Sequence, residues 1–206
     1  MKRDLRLVVL VIILNSFLTL GCWEGLRQDQ MVAPVAAEVL RFRVLANSDS
    51  EEDQKCKLMV RDRILDELGS KLDTAASPEE AEQYALAHRQ ELVEAAEAAV
   101  REAGFSYPVS LSVGDFYFPE KTYGDMTFPR GTYRALKVEI GKAAGNNWWC
   151  VLYPPLCFTD AVTAEVPETS REKLEHVLTE EDCQMLTGEV EVRSAFLDWV
   201  GGLFHS

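Results

Sequence analysis

Leu40-Arg41-Phe42-Arg43-Val44-Leu45-Ala46-Asn47-Ser48-Asp49-Ser50-Glu51-Glu52-Asp53 is the stretch on which the fold turns. Leu40, Phe42, Val44 and Ala46 alternate with Arg41, Arg43 and Leu45, the period of two that gives a strand one apolar side. Asn47 to Ser50 are short polar residues of the kind that bond nearby backbone and start helices. Ser48 with Glu51 three residues on spells a capping box, and Glu51, Glu52 and Asp53 suit the positive end of a helix dipole. Val60, Ile64, Leu65, Leu68 and Leu72 then recur at helical spacing, which predicts a helix over about 50–68 or a little longer, with Gly69 as a candidate stop.

Working outward toward the C-terminus, Ser77-Pro78-Glu79-Glu80 places an N-cap serine, a proline at the first helical position and a glutamate at the third. Ala81, Tyr84, Ala85, His88, Leu92, Ala95, Ala99 and Ala103 continue one apolar face up to Gly104, predicting a single second helix over 78–103. There the period changes to two. Val109, Leu111 and Val113 alternate with Ser110 and Ser112, while Phe116 and Phe118 fall on the opposite parity, so a β-bulge is expected at Gly114-Asp115. Pro129-Arg130-Gly131 reads as a turn between strands at 126–128 and 133–140. Trp148 to Tyr153 is apolar without alternation, as in a strand buried on both faces or a packed edge. Helices are expected near 170–178 and 179–187, with a short strand at Val190-Glu191-Val192 and an apolar ending at 195–200. No internal repeat interrupts this order. The expected class is α+β: a strand–helix–helix start, a mostly antiparallel sheet and C-terminal helices, in one domain over 39–206.

Toward the N-terminus, residues 24–38 form a spacer, and Lys2, Arg3 and Arg6 precede the apolar run Leu7–Leu14. This is the pattern of an export segment over residues 1–23. Counted on to Trp23 the run reaches the lower length limit of a membrane helix, so cleavage and anchoring both stay open. Cys22 after Gly21 is compatible with lipidation or with an ordinary signal or anchor. The chain as a whole is globular in composition, with 47% hydrophobic residues. Its 21 Lys and Arg against 34 Asp and Glu give a net charge of −13, which excludes nucleic acid as a main partner and leaves membrane contact to residues 7–23.

Export permits disulfides. Cys150 and Cys157 flank the diproline Pro154-Pro155, whose bend can bring their Cα atoms within the ~4.4–6.8 Å that a bridge requires. The competing reading is a pair of buried thiols. Cys56 and Cys183 have no evident partner and are expected to be reduced.

Catalytic templates are missing: no Gly-x-Ser-x-Gly, His-Glu-x-x-His, Walker loop, Gly-x-Gly-x-x-Gly or Asp-Thr/Ser-Gly occurs. The three histidines are scattered at His88, His176 and His205. No catalytic, metal or cofactor site is expected. The alternative class, an exported thiol- or carboxylate-dependent hydrolase acting on cell wall or peptide, would draw on Cys150, Cys157 and His88. Asn47, Ser48 and Asp49 at the strand-to-helix junction, and Asp125 among the aromatics between Phe116 and Phe128, are the candidates for a receptor-facing surface. Capping and turn formation are their competing roles.

Three stretches carry a resemblance. Arg43-Val44-Leu45-Ala46-Asn47-Ser48-Asp49-Ser50 with Asp53-Gln54 and Val60-Arg61-Asp62, then Lys121-Thr122-Tyr123-Gly124-Asp125, then Asn147-Trp148-Trp149-Cys150-Val151-Leu152-Tyr153-Pro154-Pro155-Leu156-Cys157-Phe158 together resemble the stage II sporulation protein R family of endospore-forming bacteria. The likeness covers about residues 38–160. It implies a signal made in the forespore and exported into the space between forespore and mother cell. There the family triggers a membrane-embedded aspartic protease, stage II sporulation protein GA, which processes the sigma-E precursor. The resemblance brings no catalytic residues.

Overall fold

The computed structural model describes residues 32–157 and 168–188. The expected export segment, and the expected strand and apolar ending over 190–200, lie outside them. Strand β1 (Leu40–Leu45) leads into three helices, α1 (Glu51–Thr74), α2 (Pro78–Ala87) and α3 (Arg89–Glu102). Then follow β2 (Val109–Phe118), the short pair β3 (Lys121–Tyr123) and β4 (Met126–Phe128), β5 (Gly131–Ile140) and β6 (Asn147–Tyr153). Helices α4 (Glu168–Val177) and α5 (Glu180–Thr187) come last.

Four strands form one sheet in the order β2-β5-β1-β6, with β1 and β5 parallel and the other neighbours antiparallel. The class is therefore α+β with a mostly antiparallel sheet. Both faces of the sheet are covered. On one face Phe42 stands beside Leu136 and Cys150, and Val44 beside Val138. Helices lie over this side: Arg134, of the same parity as Leu136, grips Glu82 of α2 with two bonds of 2.8 and 2.6 Å. The opposite face carries Arg41 beside Ala135 and Val151, and the β3–β4 hairpin lies across it. Residues 32–37, within the stretch expected as spacer, are helical, with Val32 and Val35 buried in the same core.

Four local expectations are corrected. The N-cap of α1 is Ser50, whose side chain accepts from the Asp53 amide, because the Ser48 hydroxyl is drawn to the Asp53 carboxylate instead. The second helix breaks at His88 (φ −104°, ψ 18°), where the imidazole Nδ1 takes the Tyr84 carbonyl at 2.9 Å and its ring stacks on Tyr84. The Tyr84 carbonyl thus takes two donors, the His88 ring and, at 3.1 Å, the His88 backbone N–H, and the helix bends there without losing that bond. The expected bulge at Gly114-Asp115 is absent: β2 pairs with β5 in continuous register from Val109↔Ile140 to Phe118↔Gly131. The parity change arises because Val109 and Leu111 pack under the helices, whereas Phe118 packs with the aromatic layer on the other face. Finally, β5 starts at Gly131, ahead of the expected 133.

Gly69 leaves helical geometry (φ 14°, ψ −113°) but only kinks α1 and does not stop it, and the helix continues to Thr74.

Candidate functional site

Between Leu45 and Glu51 the chain must reverse from strand to helix, and the loop after β5 lies against it. Gly145 N donates to Ala46 O at 3.0 Å, and Ala144 N to Asn47 O at 3.2 Å. This approach is so close that a Cβ on Gly145 would fall 2.1 Å from the Ser48 carbonyl, which only glycine avoids. Asn47 Nδ2 donates to Asp53 Oδ2 (2.8 Å), and its Oδ1 accepts from Lys142 N (3.0 Å). Ser48 Oγ donates to the same Asp53 oxygen (2.5 Å), and Asp49 Oδ1 accepts from Asn146 N (2.6 Å). Hydrogen bonds from Ser48, and after it Asn47, hold the buried Asp53 carboxyl below its ordinary value even though burial pushes the other way. Asn47, Ser48 and Asp49 thus meet in one network. Asn47 and Ser48 are half-buried, and Asp49 is exposed.

Asp125 lies elsewhere. The β3–β4 hairpin leaves the sheet where β1 begins, whereas Asn47 stands where β1 ends. Its two-residue loop is Gly124-Asp125, with Gly124 at φ 59° supplying the left-handed first position that such hairpins favour. Asp125 Oδ1 accepts from Arg171 Nη2 of α4 at 2.6 Å, and that bond holds its carboxyl below the ordinary value. Its side chain remains more than half exposed.

Beneath the hairpin lies a residue that alternation along β1 assigns to the solvent. Arg41 is fully buried. Its Nε donates to Cys150 O at 3.1 Å, and its guanidinium lies 4.6 Å from the Phe118 ring centre, 5.0 Å from Tyr133 and 5.4 Å from Phe128. Among the described residues no carboxylate pairs with it. The aromatic faces attract the cation instead. Tyr123 donates to Trp149 O at 3.2 Å, and burial pushes the phenols of Tyr123 and Tyr133 up to about 12. Arg43 repeats the stacking over Trp149 at 4.5 Å, and Arg61 over Trp148 at 4.2 Å. The hint was present in the sequence: arginines in an apolar strand of an acidic chain, together with a run of aromatics from Phe116 to Tyr133.

The reactive side chains are otherwise occupied. Cys150 and Cys157 are joined as a disulfide, with Cα atoms 5.2 Å apart. Cys56 is a buried free thiol pushed up by burial and then by Asp53; Cys183 is free and half-buried. His88 is tied to Tyr84, as above. A groove of about 830 Å³ runs between Tyr153, Pro155 and the Ser170, Lys173 and His176 side of α4, and Ser170 Oγ fixes the helix to Pro155 O at 2.7 Å. Among the described residues no cluster of three or more His, Cys, Asp or Glu is placed to hold a metal, and no helix is long and apolar enough to cross a membrane.

Comparison with known proteins places these features. No solved structure matches the chain. Stage II sporulation protein R of Bacillus subtilis (strain 168) is 30% identical over 99% of this chain and 100% of its own length. The profile of the family described as Stage II sporulation protein R matches residues 36–163, a span that takes in the Asn47–Asp53 junction, the buried Arg41, the hairpin and the disulfide loop. The chain belongs to the stage II sporulation protein R family.

Proposed function

We propose that this protein is an exported sporulation signal that activates its receptor by binding. In this reading residues 1–23 deliver the chain from the forespore into the space between forespore and mother cell, either cleaved there or kept as an anchor. The folded part then engages a membrane-embedded aspartic protease, stage II sporulation protein GA, and triggers processing of the sigma-E precursor. The observation that carries the reading is the full-length likeness to a protein named for stage II of sporulation. The disulfide between Cys150 and Cys157 agrees with an oxidising compartment. Binding is favoured over catalysis because the side chains that a hydrolase would use are engaged otherwise: two cysteines in a bridge, one thiol buried with a raised pKa, and His88 locked onto Tyr84.

The test supplies the full chain to cells that hold the protease and its precursor, and follows precursor cleavage. Cleavage that depends on both proteins is expected, and it should persist with H88A. A catalytic residue removed from a folded enzyme would lower the rate by ~10³-fold or more. Such a loss in a fully folded H88A protein overturns the reading.

A further inference from the structure

The sheet has two edges, and they are treated differently. At β6 two of the outer carbonyls are occupied, since Leu156 N donates to Val151 O at 3.0 Å and the Tyr123 hydroxyl to Trp149 O at 3.2 Å. At β2, ten residues from Val109 to Phe118 form the other edge, and among the described residues no strand lies beyond it. Pro108 O bonds inward to Gly141 N, whereas Leu111 O bonds outward to Arg89 Nε at 2.8 Å. In an antiparallel ladder, inward and outward backbone groups alternate. Val109, Leu111, Val113, Asp115 and Tyr117 therefore turn their backbone N–H and C=O away from the sheet, with the Leu111 carbonyl already held by Arg89. Edges of this length are normally blunted by lysine, proline or a bulge. Here the register is unbroken, the one charged residue of the strand is Asp115, and proline is absent.

A groove of about 580 Å³ runs along the same edge, between Val109 and Leu111 on the strand and Leu86, Arg89, Val93 and Glu94 on the α2–α3 side. Leu86 is 43% exposed there. We propose that β2 is a docking edge at which an extended segment of the receptor adds as a further strand. Its apolar side chains enter the groove, and basic residues of the segment meet the exposed Glu94 and the open side of Asp115, whose carboxylate is 67% exposed and is reached on its other side by Arg134 at 3.6 Å. Strand addition draws affinity from main-chain bonds and specificity from pockets for alternate side chains, and both elements are in place. Charge selects the occupant. A second copy would bring another Asp115, another Glu94 and another net −13 against the first, whereas a basic segment is attracted.

This inference rests on the binding role proposed above. Its test is hydrogen exchange resolved to single amides on the full chain, alone and with membranes carrying the protease, with precursor cleavage followed in parallel. The odd-numbered amides from Val109 to Tyr117 should exchange quickly alone and slow by roughly tenfold or more with the membranes, while Ser110, Ser112 and Phe116 stay slow in both. Odd-numbered amides already protected in the chain alone overturn the proposal, because the chain's own segment or a second copy then occupies the edge. Protection confined to another surface while cleavage proceeds also overturns it, and leaves the activator role standing. Neither protection nor cleavage removes the activator role itself, and this inference with it. V113P, which deletes one outward donor without touching a ladder bond, should reduce cleavage roughly tenfold relative to V113T. Equal cleavage by the two folded variants counts against the edge, and if V113P does not fold, the exchange pattern decides.

Discussion

Asn47 commits both ends of its side-chain amide, one to the Asp53 carboxylate and one to the Lys142 amide. Its neighbour Ser50 contributes a single cap bond to the Asp53 amide. That difference sets an order. Losing an N-cap costs about 0.5–2 kcal/mol, while stranding partly buried partners costs about 1–3 kcal/mol. N47A is therefore expected to melt below S50A, and thermal melts of the two check it. Comparing each melt with precursor cleavage separates architecture from recognition: cleavage that simply tracks stability in both variants assigns the junction to architecture. The sequence identified the residues that meet here but not their division of labour. Ser48 and Ser50 are the same residue type two positions apart, and only the approach of the 141–146 loop decides which of them turns toward Asp53 and which caps the helix. The burial of Arg41, hinted at by the surrounding aromatics, was missed for a related reason. Alternation assigns it to solvent, and that assignment fails where a second layer covers the sheet.

At the scale of elements, the legible features carried their own punctuation. Serine followed by Pro78 and Glu80 starts α2 as expected, while Gly69, expected to stop α1, only kinks it. The break at His88 carries no such mark, because the alanine stripe runs through it without proline or glycine. The missing bulge has the same origin: a strand apolar on both faces looks like a strand that changes register. The bridge between Cys150 and Cys157 is the covalent feature at this scale, tying the end of β6 to the loop on which Ser170 seats α4. The chain-entropy model gives a loop this short roughly 2–3 kcal/mol. A chain carrying both C150A and C157A is thus expected to stay folded, since small domains hold about 5–15 kcal/mol, but with a lower melting temperature and faster amide exchange in α4. Mass spectrometry of the exported protein without reductant should show a two-dalton deficit on the peptide spanning both cysteines. Two free thiols there would contradict the bridge.

Across the whole molecule the dominant quantity is the net charge of −13. Self-repulsion of that size opposes compactness at pH 7 and is screened by salt over ~8–10 Å at physiological ionic strength. The opposing contribution comes from Asp53, Glu82 and Asp125, each held below its ordinary carboxyl value, by Ser48, Arg134 and Arg171 in turn. A depressed folded pKa gives stability that is present above the unfolded value, about 4, and lost as pH falls through the folded one. Between pH 7 and about 5 acidification therefore relieves repulsion without touching these pairs, and below about 4 it removes them. At the alkaline end Tyr123 and Tyr133, pushed up to about 12, contribute stability that is complete below the unfolded value of about 10 and lost as pH climbs from there to 12. Calorimetric melts across pH should accordingly rise or hold from pH 7 to about 5 and fall below about 4. At pH 7, raising salt from ~0.02 to ~0.15 M should increase the melting temperature, and near pH 5 it should do so less. A fall with salt at pH 7 would mean that local pairs such as Arg134 with Glu82, joined by two bonds, outweigh the repulsion of the chain as a whole. Exposed and half-exposed pairs are worth little individually, so the long-range repulsion is expected to win.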